Sequence, residues 1–185
     1  MHQVLLDMYN GILTSGCVPE NWHVTIFTML PKTGDLNDAS NWRPIAVSPI
    51  LYKHFARLVH GRLKHILERE QSDDQFGFRP QWRIDDVFTI LENVIGKCNE
   101  WNLPLWMASL DFKKAFDWTE FWPLFDALRI QHIPEPDIQL LAVLYNNQTG
   151  SVNGSYYFNI LRGVKQGDII SPILFNVGLE MAIKR

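Results

Sequence analysis

Cysteine is scarce in this chain of 185 residues, and the two that occur, Cys17 and Cys98, lie too far apart in sequence to suggest a metal site or a disulfide framework. No apolar run approaches the ~20 residues that a membrane helix requires. The first residues carry no basic segment of the kind that opens a secretory signal peptide. Repeats and low-complexity tracts are also missing. These absences favour an intracellular protein, nuclear or cytoplasmic, that does not contact a membrane.

A basic surplus is missing too, because the net charge is −3, and this argues against a simple nucleic-acid binder. The distribution of charge is more informative than the sum. Residues 41–70 hold six basic and two acidic side chains, whereas residues 71–137 hold six basic and twelve acidic ones. A basic segment ahead of an acidic one suits an enzyme that needs cations for phosphates and carboxylates for a metal. A chance distribution of charged residues would give the same asymmetry along the chain.

The pattern of apolar residues predicts a chain of mixed helices and strands. Helices are expected at residues 2–14, 50–67, 84–100 and 136–146, and from Ser171-Pro172 onward. Strands are expected at His23–Leu30, at Ile45–Val47, at Leu105–Phe112, and in a hairpin around Asn153-Gly154. A further helix is expected to begin near Asp117 to Glu120, which have the spacing of a capping box. The fold class is therefore α+β, with helices packed on an antiparallel sheet.

The segment LDFKKAFD, residues 110–117, places Asp111 at the end of the apolar strand predicted for Leu105–Phe112. A carboxylate is costly there without a partner, and Mg²⁺ prefers carboxylate oxygen. Taken alone, the segment leaves a metal ligand and a salt-bridged surface aspartate equally open. Asp117 suits the cap of the following helix.

A second segment, RGVKQGDIISP at residues 162–172, places two glycines around Gln166 after a hairpin and before a capped helix. Glycine lets the backbone approach a ligand closely. On its own this segment is also typical of an ordinary turn.

The two segments together are more specific. LDFKKAFD followed by QGDIISPILFN, with Gln166 lying 55 residues after Asp111, resembles motifs A and B of reverse transcriptases. Upstream, MLPKTGD and NWRPIAVSPILYKHFARLVHGRL resemble the fingers of non-LTR retrotransposon (LINE-like) and group II intron-type polymerases. DDQFGFRP resembles the segment between fingers and palm. The resemblance covers about residues 20–180 and implies fingers at about 20–100 and the first part of a palm at about 101–185.

The resemblance also implies roles for individual residues. Asp111 matches the first metal-binding aspartate of the catalytic site, and Phe112 matches the position that lends its backbone carbonyl to a metal, with two Mg²⁺ expected in the complete enzyme. The nucleotide-binding positions correspond to Lys32 and Arg43 for the triphosphate, Phe116 as a gate against the ribose 2′-hydroxyl, and Gln166 and Gly167 beside the nascent base pair. The implied partners are an RNA template, a DNA primer and deoxynucleoside triphosphates.

The sequence departs from the family in one important respect. Reverse transcriptases carry a Tyr/Phe-x-Asp-Asp motif after motif B, and none occurs among the 18 residues that follow Gly167. The resemblance therefore implies an RNA-directed DNA polymerase domain that is partial and inactive alone. A non-catalytic remnant that at most binds nucleic acid is the alternative. An intron maturase or an RNA-templated RNA polymerase is a further alternative, against which Phe116 argues, and an unrelated α+β domain is the last.

Overall fold

A computed structural model describes residues 2–184, and within them it contains six α-helices and a four-stranded sheet. The helices are α1 (His2–Ser15), α2 (Ile50–Glu70), α3 (Ile84–Glu100), α4 (Phe121–Ile130), α5 (Glu135–Tyr145) and α6 (Ser171–Ile183). The strands are β1 (Val24–Pro31), β2 (Trp42–Val47), β3 (Thr149–Val152) and β4 (Tyr156–Asn159). The α+β class is confirmed at this level of detail.

The sheet has the strand order β2-β1-β3-β4. Both expected hairpins form, because β1 pairs with β2 and β3 pairs with β4 in antiparallel register. The central pair, β1 with β3, is parallel, so the expectation of an antiparallel sheet is wrong at this position. Parallel neighbours need a long crossover connection, and here helices α2 to α5 lie between the two strands in sequence.

The main hydrophobic core is built by helices. Among the described residues it draws on α1, α2, α4, α5, α6 and connecting segments, and it takes no side chain from the four strands. The sequence of α2 suits an amphipathic helix, because its buried residues recur at three- and four-residue steps and so form one apolar face. These residues are Tyr52, Phe55, Ala56, Val59, Leu63 and Leu67.

Two expectations for the segment after α3 are wrong. Residues 103–112 have no regular secondary structure and are exposed, so Asp111 does not end a strand. A strand is stabilised by hydrogen bonds to a neighbour, and none of the four described strands pairs with this segment. The second error is the capping box, because Asp117 lies in the 3₁₀ turn Ala115–Trp118 and the N-cap of α4 is Glu120, with no side-chain capping hydrogen bond. The helix itself begins at Phe121, next to its expected start.

Helix α3 follows its predicted bounds but is not part of the core. Its first turn carries Asp85 and Asp86, and the Asp86 carboxylate accepts a hydrogen bond of 2.7 Å from the backbone amide of Arg83. Acidic side chains at this end complement the helix dipole. No described residue of α3 is buried, although its sequence is amphipathic. No helix among residues 2–184 has the length and apolar character needed to cross a membrane.

Candidate active site

A cleft of about 660 Å³ lies where four separate parts of the chain meet. They are the hairpin of β1 and β2, Phe78 in the connection between α2 and α3, the 3₁₀ turn Ala115–Trp118, and the loop before α6. The predicted nucleotide-binding residues all line this cleft, namely Lys32, Arg43, Phe116, Gln166 and Gly167. Segments that are remote in sequence therefore converge on one concave surface.

The hairpin contributes two cations to the cleft. Lys32 follows β1 directly, and its Nζ donates a hydrogen bond of 3.0 Å to the carbonyl oxygen of Ser40 across the hairpin. Arg43 lies on β2 opposite Leu30 and is exposed. Among residues 2–184 the Arg43 side chain makes no hydrogen bond or ion pair, so its planar guanidinium is available for an oxyanion in the cleft.

Phe116 lies on the opposite wall of the cleft, on the 3₁₀ turn. Its ring packs at 5.0 Å from the ring of Phe175 on α6 and at 6.0 Å from that of Phe78. The preceding Lys114, which also lines the cleft, has φ 53° and ψ 45°, a left-handed conformation that is costly for a residue with a Cβ. The wall beside Phe116 is thus rigid in packing and strained in backbone.

The third wall is a tight turn in which the Asp168 amide donates a hydrogen bond of 3.1 Å to the Lys165 carbonyl. Gln166 and Gly167 are the two central residues of this turn, and Gly167 has φ 102°, which favours glycine. The Ala46 amide of β2 donates to the Gln166 carbonyl at 2.8 Å. A Cβ on Gly167 would lie 3.3 Å from the Ala46 carbonyl oxygen. The turn therefore lies directly against the hairpin.

Backbone hydrogen bonds join the 3₁₀ turn and the residue after it to the chain just before Gln166. The amides of Val164 and Gly163 donate to the carbonyls of Phe116 and Thr119 at 2.9 Å and 2.8 Å. Gly163 has φ 99°, and a Cβ there would lie 3.1 Å from the carbonyl oxygen of Asp117. A glycine is required here both by the conformation and by the close approach.

Asp111 and Phe112 are not among the residues that line the cleft. Both are exposed, and Phe112 instead lines a smaller apolar cavity beside Trp118 and Phe175. Among the described residues no group of three or more His, Cys, Asp and Glu side chains has the arrangement of a metal site. The carboxylate of Asp111 makes no described hydrogen bond, so it is accessible to a cation without forming a metal site by itself.

A charged pair, Lys165 and Asp168, is buried beneath the turn and was not predicted from the sequence. Lys165 is 5% exposed and Asp168 is 6% exposed, and they flank Gln166 and Gly167. Burial lowers the pKa of Lys165 to about 8, and the Asp168 carboxylate opposes this shift. A Lys and an Asp three residues apart around a Gln-Gly pair suggest a solvated turn, so only the fold reveals their burial.

Two tyrosines enclose this pair. The Tyr52 hydroxyl donates a hydrogen bond of 2.6 Å to the Asp168 carboxylate, and the Lys165 Nζ lies 4.8 Å from the centre of the Tyr52 ring and 5.9 Å from that of Tyr145. Burial first, and the Asp168 charge second, raise the pKa of both phenols. Both tyrosines are therefore neutral at physiological pH.

Comparison with known proteins gives matches over most of the chain. Residues 30–185 match the family model described as "Reverse transcriptase (RNA-dependent DNA polymerase)". The chain is 29% identical, over 98% of its length, to the Retrovirus-related Pol polyprotein from type-2 retrotransposable element R2DM of Drosophila melanogaster. It is 32% identical, over 91% of its length, to the Pol polyprotein from type-1 retrotransposable element R2 of Popillia japonica. It is 27% identical, over 97% of its length, to the Transposon TX1 uncharacterized 149 kDa protein of Xenopus laevis. The matches cover 17%, 24% and 14% of these three relatives.

Proposed function

The chain belongs to the reverse transcriptase (RNA-dependent DNA polymerase) family, in the form found in non-LTR retrotransposons, and from this premise we propose that its cleft binds the incoming deoxynucleoside triphosphate. The proposed partners are an RNA template and a DNA primer, and the proposed reaction is nucleotidyl transfer to the primer. In this reading residues 20–100 act as fingers and residues 101–185 as the first part of the palm.

The observation that carries the proposal is the lining of the cleft. Lys32 and Arg43 come from the hairpin, Phe116 from motif A, and Gln166 and Gly167 from motif B. Each was singled out on sequence grounds alone. A volume of about 660 Å³ lies in the range of small-molecule sites, which is roughly 300–1,000 Å³.

Lys32 and Arg43 are proposed to bind the triphosphate. Lysine provides a compact charge, and arginine provides a planar fork that matches two phosphate oxygens. Two carboxylates also line the cleft: Asp168 is buried and hydrogen-bonded to Tyr52, and Asp117 is exposed on the 3₁₀ turn. The charged side chains that the hairpin itself contributes, Lys32 and Arg43, are both positive. This arrangement favours an anion at the hairpin end.

Phe116 is proposed to select deoxyribose. Its ring is supported from behind by Phe175 and so cannot retreat easily from a 2′-hydroxyl group. Gln166 and Gly167 are proposed to contact the base pair, because a glycine without a side chain lets the planar base approach the backbone. Specificity for deoxynucleotides would then result from shape and not from charge.

Asp111 and the Phe112 carbonyl are the groups proposed to bind Mg²⁺. When bound, the ion would neutralise the charge that develops on the phosphates. Two donors supply only part of the octahedral sphere that Mg²⁺ requires. Among residues 2–184, these donors do not form a complete metal site. Because the chain also has no Tyr/Phe-x-Asp-Asp motif, we propose that it is inactive as a separate polypeptide.

Binding of a labelled deoxynucleoside triphosphate in the presence of Mg²⁺ tests the cleft directly. We expect Arg43→Ala to weaken binding about tenfold or more, which is the loss typical of a charge-assisted hydrogen bond. Arg57→Ala is the matched control, because Arg57 is an exposed arginine of α2 that lines no described cavity. Equal affinities of the two variants would contradict the proposed nucleotide site.

A further inference from the structure

We propose that Lys165, Asp168 and Tyr52 are positioning residues that fix the Gln166-Gly167 turn against β2, so that the turn presents its two central residues to the cleft. The inference rests on the proposed function for its consequence, since the turn matters for activity only if the cleft binds a nucleotide. The anchoring itself is a property of the fold and is measurable separately.

The first observation is the pattern of burial along the turn. Lys165 and Asp168 are buried, Gln166 is half-buried, and Gly167 is exposed and lines the cleft. The two charged side chains therefore point away from solvent at the ends of a turn whose middle faces the cleft. Charged residues are seldom fully buried unless they are paired.

The second observation is that the buried charged groups of Lys165 and Asp168 are not fully satisfied by hydrogen bonds or by an ion pair. Among residues 2–184, the Lys165 Nζ and the Asp168 Oδ1 are buried without a hydrogen-bond partner, and the two side chains form no ion pair within the usual distance. Burying such groups costs stability. Replacement of a buried charged pair by apolar side chains is often neutral or stabilising, so stability alone does not account for these two charges.

The third observation is that one residue of α2 contacts both ends of the turn. The Tyr52 ring lies beside the Lys165 ammonium group, and the Tyr52 hydroxyl donates to Asp168. Cation–π contacts and hydrogen bonds to a carboxylate both restrict the direction of approach. Tyr52 therefore fixes the separation and orientation of the two ends.

The fourth observation concerns what this anchoring controls. The Ala46 amide donates to the Gln166 carbonyl, and Ala46 lies on β2 together with Arg43. A movement of the turn would therefore break a hydrogen bond to the strand that carries the proposed triphosphate ligand. Anchoring of the turn therefore couples Gln166 and Gly167, which are proposed to contact the base pair, to the strand that carries Arg43.

The test compares Tyr52→Phe with Tyr145→Phe in the 185-residue chain. Each variant loses one hydroxyl from a buried tyrosine that keeps its ring beside Lys165. The Tyr145 hydroxyl pairs with Ser171 at 3.4 Å and not with Asp168. Residue-resolved hydrogen exchange reports the opening of the Ala46 amide, and titration with a deoxynucleoside triphosphate and Mg²⁺ reports affinity.

We expect Tyr52→Phe to accelerate exchange of the Ala46 amide about tenfold or more relative to Tyr145→Phe, since a hydrogen bond to a carboxylate is lost. Nucleotide affinity should fall by a similar factor. Asp168→Asn should retain more of the affinity than Asp168→Ala, because the asparagine side-chain oxygen still accepts a hydrogen bond from the Tyr52 hydroxyl and alanine has no acceptor.

The outcomes separate the two proposals. Unchanged Ala46 exchange in Tyr52→Phe would overturn the anchoring, whatever happens to binding. Faster exchange without any effect of Arg43→Ala on nucleotide binding would support the anchoring and contradict the nucleotide site. Affinity losses that merely follow the loss of global stability across Tyr52→Phe, Tyr145→Phe and Asp168→Asn would reduce the three residues to a structural role and overturn the positioning claim.

Discussion

The Val164 amide donates a hydrogen bond of 2.9 Å to the Phe116 carbonyl, and this contact joins the two segments that carry the family resemblance. The contact is supported by the neighbouring Gly163, which packs against the backbone of Asp117. The geometry of the cleft thus depends on backbone contacts between its walls as well as on the side chains that line it.

Gly163→Ala should destabilise the chain by about 1–3 kcal/mol, because it adds a Cβ at a left-handed conformation and against the Asp117 backbone. Gly61→Ala is the matched control, since Gly61 lies on the exposed side of α2 with no atom within 4 Å of the added Cβ. That control should be stabilised by about 0.5–1 kcal/mol. Urea unfolding of both variants measures the difference, and equal effects would show that Gly163 is not constrained.

Several elements were predictable because their signal is local. The apolar period of three and four residues gave the bounds of α3, and Asn153-Gly154 gave the position of the second hairpin. Helix α6 begins at Ser171, as its Ser-Pro pair indicates, although the capping position falls on Ile170 and no side-chain cap forms. Local turn and helix chemistry therefore predicts well where each of these elements forms.

Non-local features were not predictable. The parallel pairing of β1 with β3 joins segments that are far apart in sequence, and the apolar segment Leu105–Phe112 resembles a strand whether or not a neighbour exists to pair with it. The burial of Lys165 and Asp168 depends on Tyr52 and Tyr145, which come from two other helices. The five nucleotide-binding positions implied by the resemblance line one cleft, and their roles stay predictions.

The buried Lys165 should give the chain a characteristic dependence of stability on pH. Its pKa is about 8 in the folded chain against an ordinary value of 10.5. Between these values the unfolded state binds more protons than the folded state, so the free energy of unfolding should rise as the pH increases through this window. Below pH 8 both states are protonated, and the full cost of the buried charge, about 3 kcal/mol, is present.

Comparison with Lys165→Met isolates this effect. Relative to the variant, the wild-type chain should gain about 2 kcal/mol between pH 7.5 and pH 10. Tyr52 and Tyr145 act in the opposite direction above pH 10, because burial raises the pKa of each phenol, but the variant retains both. Unfolding curves that stay parallel across this range would contradict a buried, charged Lys165.

The exposed apolar face of α3 should cause self-association. Ile84, Phe88, Leu91 and Ile95 follow one face of the helix and are between 37% and 69% exposed. Exposed patches of this kind bind hydrophobic dyes and promote aggregation. The double variant Phe88→Gln with Leu91→Gln should therefore reduce dye binding and the sedimentation coefficient without lowering the free energy of unfolding.

A matched substitution in the core provides the control for α3. Leu63→Gln replaces a fully buried residue of α2 and should destabilise the chain by several kcal/mol. A monomeric wild-type chain with no dye binding and a sharp thermal transition would contradict the assignment of α3 as an uncovered apolar surface.

Primer extension tests the proposed chemistry. We expect no extension by the 185-residue chain in Mg²⁺ or Mn²⁺, because Asp111 alone cannot complete a two-metal site. Fusion to the following segment of a related retrotransposon polymerase, including its Tyr/Phe-x-Asp-Asp motif, should restore extension. In that fusion Asp111→Asn should reduce the rate about a hundredfold or more, since phosphoryl transfer depends on electrostatic stabilisation.

Phe116→Ala in the same fusion distinguishes steric selection of the sugar from the electrostatic contribution of Asp111 to extension. The variant removes the ring that packs on Phe175 and leaves Asp111 intact, so extension with deoxynucleotides should persist. Discrimination against ribonucleotides should fall about tenfold or more, because steric exclusion of the 2′-hydroxyl is lost. Phe78→Ala is the control, since Phe78 also lines the cleft and contacts the Phe116 ring but lies outside motif A. Equal loss of discrimination in Phe116→Ala and Phe78→Ala would show that the effect comes from general loosening of the cleft wall. Extension by the unfused chain that survives Asp111→Asn would show that the catalytic residue lies elsewhere.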